Sequence, residues 1–270
     1  MSPTYDLPGI RTSPAWREHF RANAEHQREI PWELGLGISP SELAEIVESV
    51  RGWQLGETSD GRHLLAAARN FAEKIGDPDF VQAVEGFIAE EQRHGEFQGR
   101  WLDLAGVARK QSDWGDSLFR TARYMFPSME VWATPVVMVE THALIYYNAI
   151  RQATNCTVLR RICEQILSDE VHHVRFQCER LAILLRDRPR WLGVLTMLLH
   201  HILFTGITLA IWAGHRRALQ AGGYGFGRFW RSAWTKMNHA WVLMDPKGYR
   251  WDVDIAPEPA LPQHGAVEAR

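Results

Sequence analysis

The sequence predicts an all-α protein, a four-helix bundle with additional C-terminal helices. Three observations lead there. Helix start and stop signals bound four long segments between positions 40 and 187. No strand-like alternation of polar and apolar residues competes with them. The connections within the first and second pairs of segments are only a few residues, which makes each pair an antiparallel hairpin.

Each element has its own signals. Residues 1–39 read as an N-terminal arm with scattered prolines (Pro3, Pro8, Pro14, Pro31) and one short helix. Ser39-Pro40 with Glu42 forms a capping box with proline at the first helical position. That helix runs to about residue 75, with Gly52, Gly56 and Gly61 as candidate kinks. Asp77 and Pro78 start the second helix, which runs to about residue 107. The third covers about 128–153 despite Pro135, and Asn155 caps a fourth running to about 185.

Residues 40–187 are thus one bundle domain, and 188–258 are expected to pack on it as an apolar helix and an aromatic-rich extension. Residues 259–270 read as a disordered tail. Residues 191–214 contain no Asp, Glu, Lys or Arg and are long enough to span a bilayer. A buried helix is the favoured reading, covering the bundle, lining an apolar substrate channel or forming a homodimer interface. Membrane association through 191–214 is the alternative.

Composition excludes several classes. With 30 basic and 32 acidic residues, net charge −2 and no basic run, the chain does not read as a nucleic-acid binder. Cys156, Cys163 and Cys178 form no CxxC pair, which argues against a disulfide framework or a thiolate zinc site and fits a cytoplasmic protein. The N-terminus lacks the apolar core of a signal peptide.

The chemistry lies in a repeat. Glu91-Gln92-Arg93-His94 and Glu170-Val171-His172-His173 are both Glu-x-x-His. That spacing sets the two side chains on one helical face. Both faces are apolar: Val84, Phe87, Ile88 and Leu102 around the first, Ile162, Ile166 and Leu181 around the second. The other two helices each offer a lone carboxylate in an apolar setting. Glu140 precedes Glu170 by 30 residues, and Glu57 precedes Glu91 by 34, with Asp60 as a rival. One Glu from each of two helices plus Glu-x-x-His from each of the other two is a di-metal carboxylate arrangement. Four carboxylates balance two divalent cations, and an oxygen and imidazole set without thiolate favours iron or a manganese–iron pair.

Supporting residues follow from the same repeat. Glu90 and Asp169 directly precede the two ligand glutamates. A metal-bound imidazole donates its outer N–H to a carboxylate, so Glu90 is expected to hold His173 and Asp169 to hold His94. His142 and His172 point to other faces. Tyr147 and Ala143 share the Glu140 face and are the candidate substrate contacts, with core packing as the other reading of Tyr147.

The segments 90–106, EEQRHGEFQGRWLDLAG, and 168–173, SDEVHH, resemble the metal-binding segments of the soluble acyl-carrier-protein desaturases, within the ferritin-like di-iron superfamily. The resemblance implies a ferritin-like bundle and a non-haem di-iron centre held by Glu57, Glu91, His94, Glu140, Glu170 and His173. It also implies dioxygen as co-substrate, an external electron donor, and a small-molecule or carrier-bound hydrophobic substrate. Ala143 stands where those desaturases carry a Thr. Gln98 stands where ribonucleotide reductase small subunits carry a radical Tyr, and Ile166 where certain N-oxygenases carry a third His. The expected function is an oxygen-activating oxidase or oxygenase. Iron handling or peroxide scavenging without an organic substrate is the alternative, followed by a binding module without catalysis.

Overall fold

The computed structural model describes residues 9–111 and 128–251. Among them lie eight α-helices and no strand: α1 (Ser13–Glu25), α2 (Pro40–Glu57), α3 (Arg62–Ile75), α4 (Asp79–Leu104), α5 (Met129–Ala153), α6 (Thr157–Leu185), α7 (Arg190–Ala221) and α8 (Phe226–Met244). The protein is all-α, as its sequence predicts. The tail 259–270 lies outside the described residues.

Helices α4 and α6 face each other across the centre. Helices α2 and α3 pack on α4, and α5 packs along α6. Helix α7 covers the seam between α5 and α2, and α8 covers α6 and α5. The core between them is continuous and aromatic, with Trp16, Phe80, Trp101, Tyr146, Tyr147 and Phe176 all fully buried.

The predicted capping box is formed: Ser39 Oγ accepts from the Glu42 N–H while the Glu42 carboxylate accepts from the Ser39 N–H. The expected helix over 40–75 is instead two helices. Gly61 breaks it with φ of +67°, and a Cβ there would stand 2.6 Å from Ile88 Cδ1. Both the backbone sign and the close approach to α4 require glycine. The second long helix stops three residues early, because Gly106 turns left-handed and the Val107 N–H reaches back to the Leu102 carbonyl.

Two expected caps differ. Asp77 does not cap α4; its carboxylate accepts from the Ser13 hydroxyl on α1. Cys156, not Asn155, caps α6, with Sγ accepting from the Leu159 N–H. Asn155 instead donates its backbone and side-chain N–H to Glu42, tying the start of α6 to the start of α2.

The N-terminal segment is more than an arm. Helix α1 buries Trp16 and Phe20 against α4 and α6. Its entry is fixed by a buried ionic network on α6. Glu179 accepts from Trp16 Nε1 (2.8 Å), the Arg11 N–H (3.1 Å) and Arg175 Nε (2.9 Å). Arg180 donates to the Arg11 carbonyl (2.6 Å) and the Ser13 hydroxyl (3.2 Å).

The stretch 191–214 is a helix that covers the bundle and lines a cavity, as expected, but it is buried on one face only. It forms most of α7, the one helix among the described residues long and apolar enough to cross a membrane, and its most apolar window is only 22% buried. One face, with His200, Phe204 and Thr208, packs inward. The opposite face stays exposed.

Candidate metal centre

Helices α4 and α6 run side by side, so the two Glu-x-x-His faces meet. Single ligand atoms of Glu91, His94, Glu170 and His173 all lie within 4.8 Å of one another. His94, Glu170 and His173 are fully buried, and Glu91 is partly exposed. This group can hold a metal ion.

The outer nitrogens of both imidazoles are fixed. His94 Nε2 sits 2.9 Å from Asp169 Oδ2, and His173 Nε2 sits 2.9 Å from Glu90 Oε2. Each helix therefore orients the histidine of the other. A carboxylate can only accept, so each Nε2 carries the proton and each Nδ1 is turned toward the centre. His94 Nδ1 is 3.7 Å from Glu170 Oε1, and His173 Nδ1 is 3.6 Å from Glu170 Oε2. Glu170 thus offers one oxygen toward each imidazole, and Glu91 Oε1 approaches His173 Nδ1 at 2.7 Å.

Apart from this close Glu91–His173 contact, whose geometry does not make a hydrogen bond, the inner atoms have no partner. Glu91 Oε1, both oxygens of Glu170, His94 Nδ1 and His173 Nδ1 are buried and unsatisfied. Buried polar atoms are almost always paired, because leaving one unpaired costs about 1–3 kcal/mol. Five such atoms converging on one place fit a cation, since lone pairs of carboxylate and imidazole are what a cation satisfies.

Glu57 on α2 lies beside Glu91, and Glu140 on α5 lies beside Glu170. Glu57 and Glu140 are buried, and burial pushes both well above the usual carboxylate range. Glu91 adds repulsion for Glu57, and Glu170 adds it for Glu140. Burial likewise raises Glu170 to about 7. Burial opposes protonation of His94 and His173, but the neighbouring carboxylates win and hold both imidazoles above their ordinary value. Asp169 shows the reverse: burial is outweighed by its bond to His94, which brings it to about 2. The inner cluster thus holds more negative charge than its surroundings tolerate, and only protons or metal cations can neutralise it.

Glu57 sits at the last turn of α2, drawn against α4 at Gly95. A Cβ on Gly95 would stand 3.2 Å from Glu57 Cβ and 3.0 Å from Thr58 Cγ2. Asp60, the rival carboxylate, is more than half exposed and pairs with Arg62. Tyr147 donates its hydroxyl to Glu57 Oε1 (2.6 Å) and accepts from Gln98 Nε2 (3.0 Å). Tyr147 and Ala143 lie in the core, outside the cavity wall described below. His142 sits 3.0 Å from the Thr208 hydroxyl on α7 and is directed away from the cluster.

Two supporting residues escaped the sequence reading. Asn23 of α1 donates its amide to Glu90 Oε1 (2.6 Å) and Asp169 Oδ1 (2.9 Å), so one side chain spans both histidine-holding carboxylates. Gln165, one turn before Asp169, donates to that carboxylate at 2.9 Å. Gln165 was detectable by its spacing from Asp169. Asn23 was not, because nothing in the sequence says where α1 docks.

A cavity of about 1050 Å³ opens beside the cluster. Glu57, Glu91 and Glu140 stand in its wall, and the rest is mostly apolar, including Phe87, Trp132, Val139, Leu203 and Ile211. Comparison with protein-family models, curated proteins and solved structures gives no match for this chain.

Proposed function

We propose that the protein is a ferritin-like di-metal oxidoreductase that uses dioxygen to oxidise a hydrophobic substrate by desaturation, hydroxylation or heteroatom oxidation. The observation that carries this reading is the convergence of unpartnered Glu91, His94, Glu170 and His173 atoms beside a large apolar cavity. Glu91, His94, Glu170 and His173, with Glu57 and Glu140 beside them, would hold the metals. Two iron ions, or a manganese–iron pair, would supply dioxygen reduction there, with electrons from an external donor.

The chain's own residues do the rest. Asp169 and Glu90 keep the imidazoles in the tautomer whose Nδ1 is free for a cation. Tyr147 fixes the orientation of Glu57 by donating its hydroxyl to Oε1. The apolar wall excludes water and orients a hydrophobic chain next to Glu57, Glu91 and Glu140. A cavity of this size has no use in iron storage, which favours an organic substrate.

Reconstitution with ferrous iron under anaerobic conditions tests the reading. Two metal ions per chain, followed by oxygen uptake with an added reductant, is the expected result. Fewer than two ions per chain would sink it.

A further inference from the structure

Helix α7 has two faces with different tasks. Trp191, Val194, Leu195, Leu198, Ile202 and Leu209 recur at helical spacing and form an outer stripe. Val194 is 73% exposed, Trp191 71% and Ile202 61%. Exposed apolar stripes of this length are rare on soluble monomers and mark an interaction surface. The neighbouring stripe, with Thr196, His200, Leu203 and Ile207, lines the cavity that ends at Glu57, Glu91 and Glu140. Leu199, Ile202 and Leu203 belong to the cavity wall and are also exposed, so the cavity opens at the edge of the outer stripe.

Charge indicates what covers that stripe. Helices α7 and α8 carry six basic residues (Arg190, Arg216, Arg217, Arg228, Arg231, Lys236) and no acidic one. The whole chain is −2, which leaves −8 on the remainder. Arg190 and Arg216 stand at the two ends of the apolar stretch, and Phe226 and Arg231 border a shallow pocket with Leu209 beside it. An apolar strip framed by arginines and aromatic side chains is complementary to an anionic lipid surface.

The packing also fixes the orientation. Arg217 on α7 pairs with Glu45 on α2 at 3.0 Å, and His142 on α5 reaches Thr208. A spanning α7 would draw α2, with Glu45 and Glu48, into hydrocarbon at high cost. The helix must therefore lie flat.

We propose that the protein seats the outer face of α7 in the plane of an anionic membrane. The cavity mouth beside it draws an acyl-chain lipid from that membrane toward the carboxylates. The substrate half of this inference rests on the oxidoreductase reading; the membrane half does not.

The test is co-sedimentation of the full chain with vesicles of phosphatidylcholine alone and of phosphatidylcholine with phosphatidylglycerol. Binding to the anionic vesicles is expected, with a loss of about tenfold or more in the Leu198→Glu/Ile202→Glu variant. Those side chains are exposed, so circular dichroism should report an unchanged helix content. Glu170→Ala must bind vesicles as the parent does, which separates this result from any failure to take up iron. Absence of binding to anionic vesicles overturns the proposal. So does a dimer in lipid-free buffer that the double variant converts to monomer, because the stripe would then be covered by a second copy. For the cavity, cis-parinaric acid is the probe. Val139→Trp, which fills the wall, should weaken its binding about tenfold while vesicle binding persists. Undiminished parinaric binding in Val139→Trp overturns acyl delivery through this cavity.

Discussion

Helix α6 carries two buried ionic clusters, and they are built in opposite ways. Around Glu179 the protein supplies every partner: Trp16, Arg11 and Arg175 donate to the carboxylate, and Arg180 locks onto the neighbouring backbone. Around Glu170 it supplies none, and both oxygens face only other acceptors and imidazole nitrogens. Both carboxylates are fully buried. What separates a structural charge from a ligand is therefore the presence of N–H donors, not burial. The first cluster fastens α1 to the protein. The second lacks such donors and can hold a cation.

The largest expected break in this contrast is at the open cluster. Glu170→Ala should reduce iron from two ions per chain to one or none, measured by elemental analysis after reconstitution, with the fold retained. At the closed cluster the effect is reversed. Glu179→Ala should cost about 3–5 kcal/mol in urea denaturation, because it strands buried donors, while iron remains at two per chain. Loss of iron in Glu179→Ala would mean that the clusters are not separate.

Proton linkage sharpens the same distinction in the metal-free chain. Folding raises Glu170 from 4.5 to about 7 and holds His173 above 6.5. Both groups keep protons in the folded state that the unfolded chain has already released. Their contribution is present at low pH and is lost as pH rises through the folded values. Asp169, lowered from 3.8 to about 2, acts in the opposite sense but only below pH 4. Burial lowers His19, His142 and His172, which also act in the opposite sense, up to about pH 6.5. Metal-free protein should therefore lose thermal stability from about pH 6.5 to 8, and iron-loaded protein should not. A melting temperature that rises over this range without metal would contradict it. The smallest effect is outside the inner cluster: Asp169→Asn should weaken iron binding by about 10–100-fold without abolishing it, read from a competition titration with a chelator.

The sequence could be read furthest where periodicity and charge coincide. The repeated Glu-x-x-His pairs, lone Glu57 and Glu140, and the helix boundaries at Ser39 and Ser128 all carry local signals, and the structure brings the four inner ligand candidates together. The pairing of Glu90 with His173 and Asp169 with His94 was readable too, because it follows from the repeat. Other features have no local signal. Gly61 looked like one of several candidate kinks, and only its contact with Ile88 makes it a break. The exposure of α7 depends on how much partner surface the other helices leave for it. The role of Tyr147 depends on a hydroxyl meeting a side chain 90 residues earlier in the chain.

Asn23 has a consequence for assembly. Its amide joins Glu90 and Asp169, which lie 67 and 146 residues further along the chain. Helix α1 is synthesised before α4 and α6 and is thus among the last whose contacts can be completed, since its docking surface does not exist until α6 has formed. Such distant pairing is slow to establish. Until α1 arrives, the two carboxylates that steer the histidines lack their common tie. The order of chain synthesis is the reverse of the order in which the site acquires its final rigidity.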